Sequence, residues 1–292
     1  MSRSLREIFV NYGLVVILGI IWDLAFVAIR RAVVELAPVN LTLVRWIIAS
    51  VAFLILSPKI AKPKVAFKRK NLPRLLLVAI ASVGGYHLSL NYGETIISSG
   101  LAGLLISFGP IFVVLLSAIF LKERIRRELV LALVVATIGA FVLSADTHLD
   151  FVEVSGSLTV VLAALMYSLY AVGSKPLVTE YGALPTAVWA GVGGTVLILP
   201  LLSGGFFVQV ENLSLAGWLS VLYLSILSTV VANIILYTLI SGRRVSTLSV
   251  QLYLVPIVSL VGGILILGES ITIFTLVGAG LLFAAIALAT RK

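Results

Sequence analysis

Apolar runs of about 20 residues follow one another along nearly the whole chain, each long enough to cross a hydrocarbon core roughly 30 Å thick. Ten can be laid out: Val10–Ile29, Val39–Leu56, Pro73–Tyr92, Gly100–Leu121, Leu129–Ala145, Val154–Gly173, Pro185–Leu202, Leu215–Ile240, Ser246–Leu267 and Ile273–Ala289. Lipid offers no hydrogen bonds to the backbone, so a spanning chain must be a helix bundle or a closed barrel. These runs lack the alternation of apolar and polar residues that a barrel requires, which leaves an all-α, polytopic membrane protein with ten transmembrane helices. The first run follows Arg3 and Arg6, but it is too long for a signal peptide and lacks a small-residue cleavage site, so it is expected to stay as helix 1. The longest connection, Pro58 to Asn71, is too short for an inserted soluble domain.

Composition agrees, with 61% hydrophobic and 11% charged residues and a mean hydropathy of +1.19. Two histidines and no cysteine give little scope for a metal site, and no cofactor is expected. The chain lacks G-x-x-x-x-G-K-[ST], H-E-x-x-H and G-x-S-x-G, so it carries no phosphate-cradling loop of the first kind and neither hydrolase signature.

Charge sets the orientation. With the N-terminus inside, 18 of the 21 Lys and Arg residues fall on the cytoplasmic face, Arg30 and Arg31 fall outside, and Arg45 lies within a span. Both termini are then cytoplasmic. The formal net charge of +9 follows from topology, and no nucleic-acid partner is implied, because no domain presents these residues. The basic run Lys59 to Lys70 could also touch anionic lipid.

Pro110 is followed at thirteen residues by Glu123, and Pro256 by Glu269, both pairs ending an apolar run and both offset by 146, half of the 292 residues. Trp22 with Tyr167, Pro38 with Pro185 and Tyr92 with Tyr237 repeat the offset to within one residue. The expectation is a duplication into residues 1–145 and 146–292, five helices each. An odd number of crossings per copy turns the second upside down, an arrangement that recurs in secondary transporters.

Gly109-Pro110 leading to Leu121-Lys122-Glu123, its echo Val255-Pro256 leading to Leu267-Gly268-Glu269, and Ile21-Trp22 through Phe26 resemble the drug/metabolite transporter superfamily, in its branch with two EamA-type repeats. The resemblance spans essentially the whole chain. It implies an exporter of amino acids, aromatic ones included, and related small metabolites in the bacterial cytoplasmic membrane, a monomer working in the lipid bilayer on a small-molecule substrate. Asp23 departs from the family, which commonly has a small residue after that Trp. A channel or facilitator, a carrier of drugs or nucleotide sugars, and more remotely an intramembrane enzyme using Asp23 and His87 stay open.

Asp23, Arg45 and His87 are expected at similar depth, with Asp23 and Arg45 neutralising each other near His87, either as a fixed lock or in substrate or proton handling. Trp22 and Phe26, Tyr167 and Tyr170, and Asn233 and Tyr237 each share a helix face. Mid-span Trp22, Tyr86, Tyr167, Trp189, Gln251 and Tyr253 point to an interior cavity, because polar tips in hydrocarbon need partners. With Tyr92, Tyr170, Ser107 and Tyr237 they complete the expected substrate lining. Tyr12, Tyr181 and Trp218 read as an interfacial belt. Pro110 and Pro256, inside helices 4 and 9, are expected to be paired hinges or bends, and Glu123 and Glu269 to cap or anchor helix ends.

Overall fold

The computed structural model describes residues 3–60, 63, 65–106, 108–143, 151–202, 204–242, 245, 248 and 273–290. Every regular element among them is helical. Helices α1 (Arg3–Ala32) and α2 (Pro38–Ile60) are joined by a short connection. The third crossing runs as α3 (Leu72–Ala79), a π-helical segment (Ile80–Tyr86) and α4 (His87–Ile96). After α5 (Ser99–Ile106), α6 (Gly109–Phe120) and α7 (Arg127–Leu143) come the long α8 (Phe151–Tyr181), α9 (Ala183–Ile198) and the short α10 (Gly204–Glu211). A further crossing repeats the helix–π–helix pattern as α11 (Leu215–Leu222), Tyr223–Val231 and α12 (Ala232–Gly242), and α13 is Ile273–Thr290.

Six described stretches are long and apolar enough to span a bilayer: Gly13–Ala32, Pro38–Pro58, Arg69–Ile96, Val154–Tyr181, Ala183–Leu201 and Leu215–Ser241. They correspond to expected spans 1, 2, 3, 6, 7 and 8. Of the ninth span only Leu248 is described; Gln251, Tyr253 and Pro256 lie outside the described residues, as do Ser107 and Glu269.

The fourth span departs from expectation. A single Pro-kinked helix was expected over Gly100–Leu121, but the chain closes α5 at Ile106 and starts again at Gly109, which puts Pro110 in the first turn of α6. There its missing N–H costs no helical hydrogen bond and its fixed φ favours initiation, so Pro110 starts a helix rather than bending one. Ser168 Oγ lies 3.1 Å from the Gly109 carbonyl oxygen and 2.7 Å from that of Ala164, tying the start of α6 to α8.

One core unites most of the bundle, and a smaller one of Val114, Leu129, Ala132, Ala136 and Ala285 joins α7 to α13. In the larger, α2 crosses α9 with Gly191 against Trp46 and Phe53; an added Cβ would sit 3.0 Å from the Trp46 ring, so the helices meet this closely only over glycine. The corner between α8 and α9 turns through Gly182 at φ 104°, which side-chain-bearing residues rarely adopt. Tyr181 beside it is fully buried. Its hydroxyl accepts hydrogen bonds from the Lys68 amide (3.1 Å) and Asn71 Nδ2 (2.7 Å), which pins the segment before α3 to this corner.

Candidate functional site

The two π segments explain where the polar groups collect. A π turn bonds i to i+5, which widens the helix and leaves a carbonyl for a side chain to use. His87 Nδ1 donates to the Ser82 carbonyl five residues back at 2.6 Å, and Thr229 Oγ1 donates to the Leu224 carbonyl five residues back at 2.8 Å. Each segment therefore holds one polar side chain against its own backbone. The histidine bond places the ring proton on Nδ1 and leaves Nε2 for the pocket.

Arg45 links the two. Its Nε donates to Thr229 Oγ1 at 2.7 Å and its Nη2 to Ser228 Oγ at 3.2 Å, in a side chain only 3% exposed. The expected Asp23–Arg45 pair is corrected by these bonds, since the guanidinium fork matches two adjacent hydroxyls on the widened helix face opposite α2. Asp23 is buried as well, at the level of Tyr223, with which it interacts electrostatically. Tyr223 in turn donates from its hydroxyl to the Ile21 carbonyl at 2.8 Å.

Rings close the pocket. Tyr167 meets Trp22 edge to face with centroids 5.8 Å apart and Tyr170 in the same manner at 5.1 Å; Tyr86 stands 6.0 Å from Tyr167, 6.2 Å from Tyr170 and 4.7 Å from His87. Trp22, Phe26, Arg45, Tyr86, His87, Leu90, Tyr170, Ser228 and Asn233 line one cavity, where about 20 Å³ is open to the centre of a water-sized sphere, room for about one water. Between α1 and α12, Val15, Leu18, Val113, Leu236, Leu239 and Ile240 enclose an equally small apolar space.

The fold thus brings together Trp22, Arg45, Tyr86, His87, Tyr167 and Tyr170, with Tyr237 buried within electrostatic reach of the last two. Two expected members fall elsewhere. Tyr92 is 54% exposed on the bundle's outer surface, because five residues past His87 turn its side chain well away from the cavity face. Trp189 stacks with Phe67 and Tyr181, ring centroids 5.2 Å away in each case, at the α8–α9 corner. Sequence reasoning missed Ser228 and Thr229, small hydroxyls indistinguishable from routine packing residues until the partner is known. It also missed Trp46, whose ring lies 5.2 Å from His87. Glu94 is fully buried although it lies past Tyr92, the expected end of the third span, and it falls in register with Asn91 and His87.

At one end of the bundle, charge ties the connection after α1 to the residue that starts α11. Ser214 donates from its backbone N and Oγ to Glu35, both at 2.8 Å, and Arg31 pairs with Glu35 at 2.5 Å. The Ser214 amide, then its hydroxyl and Arg31, hold the Glu35 carboxyl below its ordinary range. Gln209 Oε1 accepts from the Ala37 amide and from Asn40 Nδ2. At the other end Lys68 pairs with Glu180 at 2.7 Å, and that carboxylate raises the Lys68 ammonium above its ordinary value. Glu123 Oε1 accepts from the Val245 amide at 3.2 Å, the anchoring part expected of it.

The profile of the EamA-like transporter family matches this chain twice, over residues 11–145 and 154–291. An uncharacterized transporter of Archaeoglobus fulgidus is 34% identical over 93% of this chain and 95% of its own. A probable terminal-alkyne amino-acid exporter of Streptantibioticus cattleyicolor is 32% identical over 93% and 90%, and a probable amino-acid metabolite efflux pump of Salmonella typhimurium 25% over 93% and 91%. One crystal structure superposes with a TM-score of 0.68 over 99% of this chain and 97% of its own at 19% identity, a likeness of fold alone.

Proposed function

The chain belongs to the EamA-like transporter family, and we propose that it is a ten-helix secondary transporter that exports amino acids, aromatic ones included, and related small metabolites across the bacterial cytoplasmic membrane by alternating access. The observation that carries this reading is the shared pocket: Arg45 from the first half is held by Ser228 and Thr229 of the second, inside a wall of rings drawn from both. A guanidinium suits a carboxylate, and tyrosine and tryptophan faces suit an apolar or aromatic side chain. The names of two relatives, an amino-acid exporter and an amino-acid efflux pump, support the same solute class.

Residues 1–145 and 146–292 act in this reading as two inverted repeats. The twofold match of the family profile supports it, as do the paired π segments, one in each half. The charge asymmetry supports cytoplasmic termini. The small central space, with room for about one water, favours a carrier over a channel, which needs a continuous wet path. The working unit is a monomer.

Purified protein in liposomes tests it. Counterflow of tritiated phenylalanine that saturates with concentration supports a carrier; flux that rises linearly supports a channel and overturns the reading.

A further inference from the structure

One face of α4 carries a buried polar stripe whose far part, Asn91 and Glu94, substrate binding leaves unused. Glu94, Asn91 and His87 are spaced three and four residues apart, so their side chains lie one above another on the same face. They are 0%, 0% and 5% exposed. His87 opens on the pocket, and Glu94 stands about 10 Å further along the helix, towards its outer end.

The stripe also holds three of the buried side-chain oxygens that lack a hydrogen-bond partner among the described residues: Oδ1 of Asn91 and both carboxylate oxygens of Glu94. The nearby cations do not supply one. Arg30 of α1 donates to the backbone carbonyls of Glu94 and Ile97, and Arg45 of α2 donates to Thr229 and Ser228. Asn91 spends its amide on Thr42 at 2.9 Å. From α8, Thr159 and Val160 press on Gly93, and α5 carries no ionisable side chain. Further along the neighbouring faces lie Asp23 of α1 and the phenols of Tyr86, Tyr167 and Tyr170. A carboxylate charge buried without a partner is costly, and in membrane proteins such groups mark ion and proton pathways.

We propose that Glu94 is the proton-coupling residue of this protein, binding one proton from the outer medium on a carboxylate oxygen and releasing it inward along the Asn91–His87 stripe as solute leaves in the opposite direction. This rests on the transport reading above. In the closed arrangement the acid holds its proton, and its charged form exists only in the open arrangements, from release of the proton inward until water at the outer end of α4 returns one. An O–H bond forms on the carboxyl as one of a hydronium ion in the outer water breaks. The carboxyl O–H then breaks as the proton passes towards Nε2 of His87, whose Nδ1 is already engaged by Ser82. The ring gives the proton up to water on the inner side, so that no oxidant or cofactor is needed.

Two measurements decide it. Infrared difference spectra of the purified full chain at neutral pH should show a protonated carboxyl band that Glu94→Gln removes and that needs no substrate; an unchanged band overturns the proposal. In liposomes, an outwardly imposed pH gradient should speed phenylalanine transport by the wild type. Glu94→Gln should lose that response while keeping counterflow, and Glu94→Asp should restore it. Saturable counterflow in a wild type that ignores the gradient leaves the carrier reading intact and sinks the proton role. A wild type with no counterflow of phenylalanine refutes that solute, and the infrared band still rules on Glu94. If Glu94→Gln fails to fold, Glu94→Asp with a shifted carboxyl band and a slowed gradient response supports the assignment, and an unshifted band refutes it.

Discussion

Ser50 and Thr195 share a hydrogen bond, Oγ to Oγ1, at 2.8 Å, although 145 residues separate them. The same separation divides Trp22 from Tyr167, whose rings also touch. In a duplicated chain, a residue meets its own counterpart only near the axis that relates the copies, as at a two-fold interface between identical subunits. The two contacts, on α2–α9 and α1–α8, therefore mark where that axis would pass.

If the two access states exchange the conformations of the repeats, a distance between counterparts is the same in both. Cysteines at positions 50 and 195, in a chain that has none of its own, should oxidise to a disulfide, and the cross-linked protein should keep its counterflow. Cross-linking followed by protease cleavage and transport assay checks it. Loss of transport on oxidation, with recovery on reduction, refutes the axis.

Arg45 is fixed by a fork of two donors, so charge alone should not replace it. Arg45→Lys should lower transport about tenfold or more, as expected when one hydrogen bond to a charged group, worth about 1.5–3 kcal/mol, is lost. Initial rates in liposomes at saturating and limiting solute check whether the loss falls on binding or on turnover.

The Glu35–Ser214 tie should weaken in acid. The carboxyl of Glu35 titrates below its ordinary 4.5 because the Ser214 amide, the Ser214 hydroxyl and Arg31 favour the charged form. A depressed folded value means that its stabilisation is complete above the unfolded value and is lost as pH falls through the folded one. Melting curves should therefore separate wild type from Glu35→Gln at neutral pH and converge below about pH 4, the ordinary carboxylate range. High salt should shrink the difference, since the site is exposed.

Pro110→Ala should be mild, about 1 kcal/mol or less, because first-turn proline gives up no helical bond. A hinge would behave otherwise: alanine would straighten the helix and arrest the transport cycle. Paired melting and counterflow measurements separate the two.

Much of the site was legible before any coordinates. Mid-span aromatic residues and Arg45 could be assigned to the interior because hydrocarbon penalises an unpartnered polar tip, whatever the fold. Tyr92 and Trp189 could not be sorted from the rest, since a residue's presence in a span leaves open which side of the helix faces protein. Helix phase in turn depends on the π segments, which reset the register by widening a turn.

The sequence by itself determined that this chain crosses a membrane as helices, because hydrophobic length is a local, additive property. Which partner Arg45 would take, where α5 would end and α6 begin, and that Glu94 would be buried were decided only in three dimensions. Those outcomes depend on the packing of helices far apart in the chain, and a side chain's partner is set by what the opposite helix presents at that depth.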